Sequence, residues 1–173
     1  MRFRPKLVSG FALLALLAAA PAVAQTEVRS LGRFGDWSTY TYLENGNPVC
    51  YAASTPTRSR GNVKSRGDVF FLVTHRPEYD DVGVVTIVAG YPYAADSTVE
   101  VAVGKTKFRF FTRDETAWAN GKDDRAAVAA MKRGNTMTVS GRSKSGVATT
   151  DTFSLSGLTK AYQAISSACK VKG

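Results

Sequence analysis

Two cysteines, Cys50 and Cys169, are the only ones in this chain of 173 residues, and the second lies four residues from the end. If they join, an early segment and the last one must lie against each other, which fixes the outline of any fold between them. Whether they join depends on the compartment, and the N-terminus speaks to that. Arg2, Arg4 and Lys6 give a basic start, an unbroken apolar run follows from Phe11 to Ala20, and Ala22-Val23-Ala24 supplies the small residues of a cleavage site. This is the pattern of a secretory signal peptide over residues 1–24, with cleavage before Gln25. The run is too short to span a bilayer. No cysteine stands at the cleavage point to carry a lipid, and Arg2 and Arg4 are not adjacent as a twin-arginine signal requires. The expectation is a soluble mature chain, periplasmic or secreted.

In an oxidising compartment an even cysteine pair closes into a disulfide. Closing a loop of this length is worth about 4–5 kcal/mol in chain entropy, against a total stability of about 5–15 kcal/mol for a domain. The rival reading, reactive or redox thiols, is weaker because the two form no Cys-x-x-Cys unit. Residues 25–173 suffice for one domain with its own core. Removing Arg2, Arg4 and Lys6 lowers the formal charge from +9 to +6, which permits attraction to anionic surfaces such as lipopolysaccharide, acidic glycan or nucleic acid without selecting one.

Beyond Phe34 short strand-like stretches alternate with turn residues. Trp37 to Tyr42 and Val49 to Ala53 flank Asn45-Gly46, a tight-hairpin signal. Val69 to Val73 and Val82 to Ala89 read as strands covered on both faces. Val99, Val101 and Val103 alternate with Thr98, Glu100 and Ala102, and Phe108 and Phe110 alternate with Lys107 and Arg109. A hairpin is expected from Thr136 to Arg142 and back along Val147 to Leu155. Two helices are expected. Asp123 to Arg133 has acids first, bases last and Gly134 beyond as its stop. Leu158 to Ala168 carries Leu158, Ala161, Tyr162 and Ile165 on one face with Cys169, which would hold that cysteine against the sheet. Eight or nine strands with two short helices indicate an all-β antiparallel sandwich.

Thr55 to Gly67 differs: Pro56, Gly61 and four bases, Arg58, Arg60, Lys64 and Arg66, with no acid, predict an exposed loop that contacts an anionic surface. The lack of aromatics between Tyr51 and Phe70 argues against nucleic-acid binding. His75, the only histidine, stands at a strand end, without a Gly-x-Ser-x-Gly elbow or further ligands for zinc, so a structural hydrogen bond is its commoner role. Ser167-Ala168-Cys169-Lys170 fits Ser-x-x-Lys but lacks partner motifs, and Arg66-Gly67-Asp68 abuts a strand instead of crowning a loop. The acidic pairs Asp80-Asp81 and Asp114-Glu115 read as solvated turns. No catalytic residue, metal or cofactor is expected.

Phe34-Gly35-Asp36-Trp37, Val49-Cys50-Tyr51, Val73-Thr74-His75-Arg76-Pro77, Ala89-Gly90-Tyr91-Pro92-Tyr93, Ala117-Trp118, Ala130-Met131-Lys132, Asp151-Thr152-Phe153-Ser154-Leu155-Ser156-Gly157-Leu158, Ala161-Tyr162 and Ala168-Cys169 follow one another in order. The ordered set resembles the invasion-associated locus B (IalB) family of exported alphaproteobacterial proteins. The resemblance implies an immunoglobulin-like β-sandwich in the periplasm or outside the cell. Many members have a further cysteine shortly after Gly-Asp-Trp, where this chain has Ser38-Thr39-Tyr40-Thr41-Tyr42, so Cys50 and Cys169 are left to each other. The resulting expectation is a non-enzymatic envelope protein associated with host-cell invasion, its partner an unidentified protein or an anionic envelope or host-surface component. The alternatives are an enzyme acting on an envelope polymer and a general envelope-integrity factor.

Overall fold

In the computed structural model residues 27–172 are described, and the signal-peptide reading of 1–24 lies outside them. The strands are β1 (Arg29–Phe34), β2 (Trp37–Glu44), β3 (Asn47–Ser54), β4 (Arg58–Arg60), β5 (Phe70–Arg76), β6 (Asp81–Val88), β7 (Thr98–Val103), β8 (Thr106–Arg113), β9 (Thr116–Trp118), β10 (Thr136–Arg142) and β11 (Ala148–Ser154). The helices are α1 (Gly121–Arg133) and α2 (Leu158–Ala168), and a single 3-10 turn spans Pro77–Tyr79. Every strand pairing is antiparallel, in the order β1-β2-β3-β5-β6-β9-β8-β7-β10-β11-β4.

The continuous ladder doubles back on itself to make the sandwich. Phe71 on β5 and Phe153 on β11 are far apart in the strand order, yet their rings meet edge-on at 5.7 Å, and Trp37 on β2 meets Phe71 at 6.2 Å. The indole N–H of Trp37 donates to the Ser154 carbonyl at 3.1 Å, and the Asp36 amide to that of Ser156 at 3.1 Å. These links bring the β1–β2 edge onto the end of β11. Gly157 makes that approach possible: its φ is +89°, and a Cβ there would collide with the Phe34 carbonyl. The alternation read from the sequence holds on β7, where Val99, Val101 and Val103 all point into the core.

The helices close one end of the sandwich. α2 lays Leu158, Ala161, Tyr162 and Ile165 against the inner face, as their spacing predicts. α1 is tied down by Asp124, whose carboxylate accepts the Val85 amide of β6 at 2.7 Å. Its stop at Gly134 falls where expected, but the reason differs. Gly134 has an extended backbone (φ −92°, ψ 164°), and glycine is needed because a side chain would run into Val103 and Leu155.

Three expectations are corrected. Thr55 to Gly67 is not all loop, because Arg58–Arg60 pair with Thr150–Thr152 as the edge strand β4. Val69 to Val73 and Val82 to Ala89 are covered on one face only: Phe71, Val73, Val85 and Ile87 are buried, whereas Phe70, Leu72, Val84 and Val88 are half-exposed on the outside. Among the described residues there are eleven strands, since β1, β4 and β9 are too short or too polar to announce themselves.

Candidate functional site

Cys50 and Cys169 form a disulfide, with Cα atoms 5.9 Å apart and both residues buried. It locks the C-terminal end of α2 to β3, beside His75 of β5, the register partner of Cys50. His75 is fully buried. Its Nδ1 accepts the Gly83 amide at 2.9 Å, and its Nε2 lies 3.1 Å from the Ser166 hydroxyl. An Nδ1 that accepts leaves the proton on Nε2, so the ring is the neutral tautomer and donates to Ser166. A Ser-His pair is therefore present, but in the wrong protonation state to take the serine's proton, and neither side chain reaches solvent. Desolvation, with Lys132 adding repulsion, lowers the His75 pKa to about 4. The structural role expected for His75 is the observed one, and its partner serine is 91 residues away.

Arg66 is not part of a free basic loop. Its guanidinium makes two bonds to the Asp151 carboxylate, 3.0 and 2.6 Å, donates from Nε to the Ala89 carbonyl at 2.9 Å and stacks over the Tyr91 ring at 5.0 Å. Its side chain is 13% exposed and that of Asp151 4%, so this is an internal, bidentate ion pair. The Arg66-Gly67-Asp68 string consequently cannot present its arginine. The Tyr91 hydroxyl bonds Thr149 beside this pair, and burial raises the Tyr91 pKa.

Arg58, Arg60 and Lys64 are exposed. Arg58 and Arg60, two apart on β4, share the outward face of the sheet. The register carries that face across five strands: Arg60 opposes Thr150, Thr150 opposes Ser140, Ser140 opposes Glu100, and Glu100 opposes Arg109. The neighbouring row reads Arg58, Thr152, Thr138, Ala102 and Lys107. A strip of hydroxyls thus runs between two basic edges about 19 Å apart, four strand spacings. Its one acid, Glu100, is paired with Lys107 at 3.0 Å.

The sequence reading missed the outward face of the other half. Tyr40 and Tyr51 stack at 5.2 Å and Tyr42 meets Tyr51 edge-on at 6.2 Å, all half-exposed. Phe111 and Trp118 stack at 5.6 Å on the same side, Phe111 being 49% exposed. A cleft of 490 Å³ opens there between Arg33 and Asp36 at its rim and Tyr40, Tyr51, Phe70 and Leu72 along its floor. The available signal was Tyr40 and Tyr42 at a two-residue spacing.

The remaining candidates stay apart. Asp80 and Asp114 occupy left-handed turn positions (φ 56° and 50°) in separate hairpins. Ser167 and Lys170 are exposed. Among the described residues, no group of three or more His, Cys, Asp or Glu side chains is placed to hold a metal ion. No helix among them is long and apolar enough to cross a membrane.

The architecture defines the class: an all-β antiparallel sandwich closed at one end by two helices and stapled by a disulfide from β3 to the C-terminus. A crystal structure of invasion associated protein b from Bartonella henselae shares it, with a TM-score of 0.59 at 16% identity, covering 82% of this chain and 97% of that one. The sequence pattern of the Invasion associated locus B (IalB) protein family matches residues 37–166, and the chain belongs to that family. No curated protein sequence matches it.

Proposed function

We propose that this chain is an exported, non-enzymatic protein that binds an anionic component of the cell envelope or of a host surface, and that it serves host-cell invasion. The observation that carries the reading is the outward face of β4, β11, β10, β7 and β8, where Arg58 and Arg60 on one side and Arg109 on the other, beside the Lys107–Glu100 pair, border a strip of Ser140, Thr138, Thr150 and Thr152. Cations at both edges suit an extended polyanion, and hydroxyls between them suit its sugar or phosphate oxygens. Arg66, one of the four bases first expected to make the contact, drops out because Asp151 already holds it. The family relationship, the name of the Bartonella protein and the basic, apolar start of the chain support export and a role in invasion.

Binding to immobilised lipopolysaccharide tests the proposal. The processed protein is expected to bind in a salt-sensitive way, and the Arg58→Gln/Arg60→Gln double variant to bind about tenfold more weakly, the loss of two charge contacts of about 0.7 kcal/mol each. Binding that the double variant leaves unchanged removes this face from the account.

A further inference from the structure

A second cationic feature lies at the helix-capped end, away from the sheet face. Arg125, Val128, Ala129 and Lys132 recur along one face of α1 at the spacing of successive turns, and they wall a pocket of 320 Å³. Tyr162 of α2 and Gly83 of β6 form its floor, and Lys172, three residues beyond the disulfide, stands at its edge. Among the described residues three cations line it and no carboxylate does. Among the described residues, none of the three is within ion-pairing distance of an acid. The nearby Asp124 is turned away to the Val85 amide.

Lys132 differs from an ordinary surface lysine. Its ammonium is held 3.6 Å from the centre of the Tyr162 ring, and the side chain is half-buried. Desolvation lowers its pKa, so it has given up water without gaining a counter-ion. Tyr162 is in turn fixed by the edge of the His75 ring at 4.9 Å, and Gly83, the extra residue of a bulge opposite His75, keeps the floor open. The cation is therefore positioned in advance, which lowers the cost of binding an anion. The volume is at the small end of ligand pockets, and Val82, Val128 and the Tyr162 ring give it an apolar wall.

From this geometry we infer that the pocket between α1, α2 and the β6 bulge is a binding site for a phosphate monoester carrying a small apolar or ring substituent. Three positive charges suit a dianion better than a single carboxylate, and the apolar wall takes the substituent. The site is independent of the sheet face proposed above. The same group reaches it either as a soluble phosphate ester or as an exposed lipid phosphate.

The test uses phenyl phosphate as probe at constant ionic strength, read by calorimetry and by the rise in Tm with ligand. Saturable binding is expected, weakened at least tenfold by Arg125→Gln and by Lys132→Gln but unchanged by Arg58→Gln/Arg60→Gln. Arg125 is an exposed helix residue, so its variant is expected to fold even if the Lys132 variant does not. Vesicles of phosphatidic acid in phosphatidylcholine form the lipid arm, and capture that phenyl phosphate competes away marks the lipid as the source. Binding of phenyl phosphate alone marks the soluble ester. Absence of saturable binding in both arms, or binding that Arg125→Gln leaves intact, overturns the inference.

Discussion

Acidification singles out His75. Its neutral ring accepts from Gly83 and donates to Ser166 in a site with no solvent, and its pKa falls from 6.5 to about 4. A protonated ring would lose the Gly83 bond, since both nitrogens would then be donors. The folded pKa is below the unfolded one, so the contribution to stability is fully present above pH 6.5. It is lost as the pH falls towards 4, because the unfolded chain takes up a proton that the folded chain refuses. The displacement from 6.5 to about 4 amounts to about 3 kcal/mol over that window. Asp124 acts in the opposite direction: burial raises its pKa, so its contribution falls as the pH rises. Comparing the native chain with His75→Asn cancels the Asp124 part, and the asparagine oxygen can still accept from Gly83. Urea unfolding across pH 4–7.5 should show the native chain losing about 3 kcal/mol more than the variant. Because this is the only histidine, its ring C–H resonance also reports the pKa without assignment. Parallel stability curves, or a resonance that titrates near 6.5, would refute the reasoning.

The disulfide and the internal ion pair give two further expectations. Replacing Cys50 and Cys169 together by alanine frees a loop with a sequence separation of 119 and is expected to cost about 4–5 kcal/mol, seen as a lower urea midpoint that reductant reproduces in the native chain. Arg66→Met leaves the Asp151 carboxylate buried without a partner and is expected to cost about 3–5 kcal/mol, whereas Arg66→Met with Asp151→Leu should recover most of the loss in thermal melts.

What the sequence disclosed follows the range of the interactions involved. α2 was legible to its boundaries because Leu158, Ala161, Tyr162 and Ile165 mark one helical face within eleven residues. The Asn45-Gly46 hairpin was legible because both residues take the positive φ that such turns demand (52° and 84°). Cys50 and Cys169 were paired from compartment and parity, which need no knowledge of the path between them. β4 was not legible: three polar residues become a strand only because β11, some ninety positions later, offers an edge. The role of Arg66 was hidden for the same reason, its partner lying 85 residues on. The outward apolar residues Phe70, Leu72, Val84 and Val88 were misread because a solid apolar run does not say whether one face or two are covered.

The same separation bears on function. The buried and half-buried polar groups His75, Ser166, Arg66 and Asp151 each have a bonded partner and lie in or near the core. A group satisfied by the protein itself is a poor acid, base or nucleophile, because substrate would first have to displace that partner. Arg58, Arg60, Arg109, Arg125 and Lys132, which have no ion-pair partner among the described residues, lie on the outer sheet face and at the helix-capped end. Truncating one of the buried groups should therefore lower stability first and binding only as a consequence. Neutralising one of the exposed cations, Arg58, Arg60, Arg109 or Arg125, should lower binding while leaving the unfolding midpoint nearly unchanged.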